Sequence, residues 1–243
     1  MYKGKLLSIG SNPKINKSDK SGKGYKTAIL HLSPHKLSGK NFCANASPGC
    51  IKGCLNTSGH GRFDSVQKAR LKRSRFFIED KFGFMNQLKK ELGAFETHCQ
   101  KRDLKPAVRL NGTSDIPWEN IKIQDPEKTW SPLINIFQAF PMVQFYDYTK
   151  SKKRALSETL PQNYHLMFSR SEETSFDDIW KMIYRLKNVA VVFKSFVPKT
   201  FEGLPVIDGD QTDLRFLDPD GFVIGLTAKG KAKKDETGFV VQN

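Results

Sequence analysis

Short apolar runs alternate with amphipathic stretches along most of the chain. Thr27-Ala28-Ile29-Leu30-His31-Leu32-Ser33 reads as a buried strand closed by Pro34. Val66, Ala69, Phe76, Phe77, Phe84, Leu88 and Leu92 then recur at helical spacing over residues 65–101, with a break expected near 80–83. The rhythm continues with strands at 107–110, 142–146, 165–169 and 189–193. Short helices are expected within 131–140 and 151–158, and a longer one at 175–186 with Phe176, Ile179, Trp180, Ile183 and Leu186 on one face. Strand–helix alternation of this kind predicts an α/β fold, a partial or complete βα barrel. The end differs: 215–217 and 222–226 flank Asp218-Pro219-Asp220-Gly221, which predicts a C-terminal β-hairpin.

This pattern divides the chain into a basic arm, 1–26, and a single βα-repeat domain, 27–243. Within the arm Lys14, Lys17, Lys20, Lys23 and Lys26 recur every three residues among Gly and Ser, which is not a helical pattern. The polar tail from Lys229 is expected to cover a sheet edge or the mouth of the barrel. One segment breaks the rhythm. Residues 34–63 carry no regular periodicity, and a loop this long in a compact domain is usually functional or tied down.

That loop holds three of the four cysteines, in Cys43-Ala44-Asn45-Ala46-Ser47-Pro48-Gly49-Cys50-Ile51-Lys52-Gly53-Cys54. Thiolates are strong ligands for iron–sulfur clusters and for zinc. Gly49 and Gly53 precede the second and third cysteine, where a tight turn favours freedom in φ. Cys43, Cys50 and Cys54 are therefore the expected metal ligands. A four-iron, four-sulfide cluster is the first expectation, with one iron left open. Zinc is the alternative and would need a fourth ligand from His31, His35, His60 or Cys99. Cys99 follows the long helix and is expected at the opposite end of the fold, as an ordinary thiol.

In parallel α/β folds chemistry gathers where strands end. Polar residues follow each predicted strand here: Asn111-Gly112-Thr113-Ser114-Asp115, then Asp147-Tyr148-Thr149-Lys150, then Ser169-Arg170-Ser171-Glu172-Glu173, then Lys194-Ser195. Asp115, Asp147 and Lys150 are the candidate catalytic groups. Asn111, Gly112, Thr113, Ser114, Ser169 and Arg170 are the candidate cofactor-binding residues.

Charge adds a partner class. The 40 Lys and Arg against 25 Asp and Glu give a net +15, a field that attracts polyanions, so a nucleotide or nucleic acid is expected. There is no run of 18 apolar residues and no apolar stretch at the start, so neither a membrane span nor a secretory leader is expected, and the location is read as cytoplasmic.

Several segments resemble a phage protein family named after a mycobacteriophage gene product, number eighty-eight. They are Ser8-Ile9-Gly10-Ser11-Asn12-Pro13-Lys14, Leu37-Ser38-Gly39-Lys40-Asn41-Phe42-Cys43, Cys54-Leu55-Asn56-Thr57-Ser58-Gly59, Arg109-Leu110-Asn111-Gly112-Thr113-Ser114-Asp115-Ile116 and Asp208-Gly209-Asp210-Gln211-Thr212-Asp213. The resemblance spans nearly the whole chain. It implies a phage or prophage origin and hence the host cytoplasm, and it carries no activity over.

A likeness of position alone is to radical S-adenosylmethionine enzymes, which also place three cysteines in a loop after the first strand of a partial barrel. Their usual spacing has three and then two intervening residues; here it is six and then three. The likeness implies S-adenosylmethionine on an open iron, with residues 111–115 in the place of the second-strand cofactor loop.

The first functional expectation is thus a phage iron–sulfur enzyme acting on a nucleotide or nucleic acid. The second is a non-enzymatic protein stapled by metal and contacting nucleic acid or a host protein. The third is a metal-dependent nuclease using Asp115, Asp147, Asp208, Asp210 and Asp213.

Overall fold

The computed structural model describes residues 2–10, 16, 19–20, 22–123 and 134–243. Strands β1 (Leu7–Ile9), β2 (Tyr25–Leu30), β3 (Lys105–Arg109), β6 (Gln144–Thr149), β7 (Tyr164–Ser169), β8 (Val189–Phe193), β9 (Thr200–Phe201), β10 (Leu204–Asp208), β11 (Val223–Thr227) and β12 (Val240–Val241) form one ten-stranded sheet. A separate short pair, β4 (Lys122–Ile123) and β5 (Ile134–Asn135), lies outside it. The order β2-β3-β6-β7-β8 follows the chain and every pairing in it is parallel, as consecutive βα units produce. The order then runs β11-β10-β9, with β1 at one end and β9 at the other. The architecture is a mixed α/β fold built on a mostly parallel sheet. Part of the segment expected as an arm, β1, is an edge strand antiparallel to β2. Of its lysines, Lys14 and Lys17 lie outside the described residues, and Lys26 pairs with Asp19 at 2.8 Å.

Alternation along the strands sends side chains to two different layers. Ala28, Leu30, Val108, Leu110, Phe145 and Leu166 pack against Phe77, Phe84, Met85, Leu88, Leu92 and Phe95 of helices α2 (Asp64–Glu79) and α3 (Lys81–Gln100). The expected break falls at Asp80, whose side chain accepts from Gly83 N at 2.8 Å and starts the second helix. Cys99 is fully buried in this layer, far along α3. The short helices α4 (Ile136–Ala139) and α5 (Lys152–Ala155) and the longer α6 (Phe176–Tyr184) complete the crossovers. The part of the predicted 131–140 helix before residue 134 lies outside the described residues.

The opposite face carries Tyr25, Ala107, Tyr146, Tyr148, Met167, Ala190 and Ile224. It is covered by the chain between β10 and β11, where Leu214 and Phe216 settle against Tyr25 and Tyr146. This corrects the predicted C-terminal hairpin. Residues 215–217 form a 3-10 turn, and β11 runs parallel to both β8 and β10. The Asp-Pro-Asp-Gly sequence turns the chain out of the covering segment and not between paired strands. A tight hairpin instead joins β9 to β10 through Glu202 and Gly203, both at positive φ.

The tail returns to the sheet. β12 pairs with Val192 and Phe193 of β8, beyond the point where β7 stops pairing at Ser169–Ala190. It thus extends the carboxyl edge on β7's side. No helix among the described residues is long and apolar enough to cross a membrane.

Candidate metal centre

The loops after β2, β3, β6 and β7 leave the carboxyl edge of the sheet together, and the cysteine loop is the first of them. Its middle is a short helix, α1 (Pro48–Lys52), with Pro48 at the start and Ser47 as N-cap, its Oγ accepting from Cys50 N at 3.2 Å. Glu172, from the loop after β7, grips the same helix start: its carboxylate accepts from Gly49 N at 2.6 Å and from Ser47 Oγ at 2.7 Å. Burial opposes ionisation of Glu172, but these bonds from Ser47 and Gly49 outweigh it and hold the carboxyl below its ordinary range. Gly49 and Gly53 are not at positive φ, contrary to the reason the sequence suggests for them. Space explains Gly49. A Cβ there would lie 2.7 Å from Phe239 Cβ and 2.8 Å from Glu172 Oε1.

The three loop thiols lie within electrostatic reach of one another, Cys43 of Cys50 and Cys54, and Cys50 of Cys54. All three are partly buried and free, and burial raises each thiol, Cys43 to about 12. Local donors work against burial. His35 N–H points to Cys43 Sγ at 3.3 Å, Asn56 N–H to Cys54 Sγ at 3.5 Å, and Lys150 and Arg70 favour the thiolates of Cys50 and Cys54. Cys43 Sγ also lies 4.0 Å from the Thr113 carbonyl, which joins the first two strand-end loops. Among the described residues no group of His, Cys, Asp or Glu is gathered as a single metal ion would require. His60 is exposed beside Phe63, and Cys99 is buried in the helical layer.

Lys150 reaches the same place from β6. Its Nζ donates to Ser169 Oγ at 2.9 Å and to the Arg170 carbonyl at 2.6 Å, and lies 4.7 Å from the Phe239 ring centroid. Burial lowers its pKa to about 8, with Cys50, Asp115 and Glu172 pulling the other way. Arg170 Nη1 donates to the carbonyls of Gly238 at 2.8 Å and Phe239 at 3.2 Å, fastening the tail across the edge. Phe239 packs with Cys50, Ala228, Ala232 and Val240. Lys150, Ser169 and Arg170 are thus brought to the cysteines.

The other candidates have local duties. Asn111 Oδ1 accepts from Ser114 Oγ, Ile116 N and Trp118 Nε1, and its Nδ2 donates to the Ile116 carbonyl, so both buried side chains shape the turn. Gly112 is required because a Cβ would lie 2.8 Å from the Leu30 carbonyl. Thr113 Oγ1 donates to the Leu32 carbonyl at 2.5 Å. Asp115 accepts from Thr149 Oγ1 and Lys150 N, both at 3.0 Å, and pairs with Arg154, which also holds Glu119 at 2.6 Å. Asp115 still acts electrostatically on Cys43 and Cys50. Asp147 does not. It is buried beneath the loop, accepting from Asn111 N at 2.9 Å and lying 3.4 Å from Tyr164 Oη.

The carboxylates of the nuclease expectation are dispersed. Asp213 pairs with Arg109 at 3.0 Å on the face away from the helices, and Asp210 accepts from Thr227 N at 2.9 Å and pairs with Lys229 at 2.9 Å. Asp208 accepts from Asp210 N at 2.8 Å. Sequence reasoning missed the clamp of Glu172, the Arg154 hub and the Phe239 cover. Glu172 stands within a polar strand-end run, but nothing in the sequence pairs it with Gly49.

No curated protein and no solved structure matches this chain. A family model described as Gene product 88 matches residues 5–243. That match takes in the cysteine loop, every strand of the sheet and the tail that closes over them, and the chain belongs to the Gene product 88 family.

Proposed function

We propose that this phage-family protein holds an iron–sulfur cluster on Cys43, Cys50 and Cys54 and acts on an anionic ligand of the nucleotide or nucleic-acid class. The observation that carries the reading is the gathering of three loop thiols at the carboxyl edge of a parallel sheet, clamped through Glu172 and flanked by Lys150. Three thiolates suit a cluster with one iron left open, whereas a structural zinc site takes four protein ligands. Thiols that burial keeps protonated also need a positive partner to become ligands, which a metal supplies as it displaces their protons.

A cluster held by three thiolates would supply electron transfer or an open iron for a ligand. The protein's own contribution is definite. Glu172 fixes the helix that presents Cys50, Lys150 places a positive charge beside it, and Phe239 packs against it. S-adenosylmethionine fits less well at the residues the likeness to radical enzymes points to, because the side chains of Asn111 and Ser114 are consumed by their turn.

The second reading, a metal staple in a binding protein, is favoured by one observation: the tail packs directly on Cys50. Anaerobic reconstitution with iron and sulfide tests the first reading. Wild-type protein should take up both and the triple Cys→Ser variant neither. Uptake of zinc alone would support the staple.

A further inference from the structure

We propose that helix α6 is a contact surface for single-stranded nucleic acid, an inference that rests on the nucleic-acid part of the reading above and specifies where the strand lies. Ile179 and Met182 face the core. The other side presents Phe176, Trp180 and Tyr184, which are 39%, 45% and 86% exposed. Large apolar groups this exposed on one short helix call for a partner. They stand four residues apart, so each residue follows the last by about 6 Å along the axis, and the Phe176 and Trp180 rings meet edge to face with centroids 5.9 Å apart. Bases stacked in a duplex strand rise by only about 3.4 Å. Rings spaced more widely than that and not stacked on one another suit the unstacked bases of an extended single strand, each base using one exposed ring face as its platform.

Charge selects the same partner. Lys181 and Arg185 form the stripe beside the rings, and Lys187 follows just past the helix; all three are exposed. Asp178 is occupied by Lys152 at 2.8 Å, leaving Asp177 and Glu173 as the exposed acids at this end. Aromatics interleaved with cations are the usual means of holding a phosphate backbone and its bases. The stripe also begins where it is useful. The loop that carries Glu172 to the cysteine helix runs directly into Phe176, so a strand lying on α6 has one end at the edge holding the thiols.

The test is fluorescence anisotropy of a labelled single-stranded oligothymidine with full-length protein at low salt, repeated with a duplex of equal length. W180A/Y184A should weaken single-strand binding by roughly fivefold or more for each ring removed, while W180F/Y184F binds nearly as the wild type. K181E/R185E should weaken binding and flatten its salt dependence, by about 0.7 in log–log slope for each phosphate no longer neutralised. The duplex should bind less tightly and ignore the ring substitutions. Circular dichroism and metal content should be unchanged in all variants. Wild-type protein that binds neither oligonucleotide would overturn this surface and the nucleic-acid reading together. Wild-type binding that W180A/Y184A leaves intact would overturn the surface alone. Self-association abolished by W180A/Y184A, with oligonucleotide binding unaffected, would make the stripe a face for a second copy and equally overturn it.

Discussion

Glu172→Ala removes a side chain that ties the loop after β7 to the cysteine helix. Two bonds disappear, Gly49 N–H to Oε1 at 2.6 Å and Ser47 Oγ–H to Oε2 at 2.7 Å. Bonds to a charged group contribute roughly 1.5–3 kcal/mol each. Glu172 is only partly buried, so the lower figure applies and the pair is worth about 3 kcal/mol. With about 1.4 kcal/mol per tenfold, local opening of the loop should become roughly a hundredfold more frequent. Glu172→Gln keeps both contacts as neutral bonds of about half the strength, so its opening should rise by roughly tenfold. Ser47 continues to cap Cys50 N in both variants. Hydrogen exchange of peptides spanning residues 47–53 reads this opening without reference to metal. Loss of iron to a chelator should follow the same ranking. Exchange and iron loss within twofold of wild type in Glu172→Ala would refute the clamp.

Two further predictions follow from buried groups. Burial raises the Asp147 pKa to about 7, against 3.8 ordinarily. Between those values the folded state binds the extra proton, so unfolding free energy should fall as pH rises from about 4 to 7, by up to roughly 1.4 kcal/mol per unit. Asp147→Asn, which mimics the protonated acid toward Asn111 N and Tyr164, should flatten that slope; an identical slope in both proteins would contradict the assignment. Phe239→Ala uncovers Cys50, so metal-free protein should react with a thiol reagent several-fold faster at Cys50 and no faster at Cys99, as peptide mapping can check.

The parallel strands were legible because each buries an apolar run between polar turns. Val189–Phe193 is found as predicted, and the other predicted strands are displaced by a few residues where polar ends such as Gln144 and Thr149 join the ladder. What the sequence hid depended on long-range contacts. The short edge strands β1, β9 and β12 carry too few residues to show a period. The Asp218-Pro219-Asp220-Gly221 turn has the composition of a hairpin, but the chain on its amino side packs as a cover over Tyr25 and Tyr146, where Phe216 has more apolar surface to bury. At the site, the clustering of Cys43, Cys50 and Cys54 could be read from spacing. The division of labour among the acids could not. Both were expected just past strand ends, but Asp115 alone follows its strand and meets Arg154 near the thiols, whereas Asp147 lies within β6 and is sealed under the Asn111 turn.

The central claim is tested most directly by iron and acid-labile sulfide analysis of protein purified without oxygen, in the wild type and in four single variants. Wild type and Cys99→Ser should contain about four iron and four sulfide per chain, the content of a [4Fe–4S] cluster. Cys43→Ser, Cys50→Ser and Cys54→Ser should each lose most of both. Zinc without sulfide in the wild type, or equal metal loss in Cys99→Ser, would contradict the account.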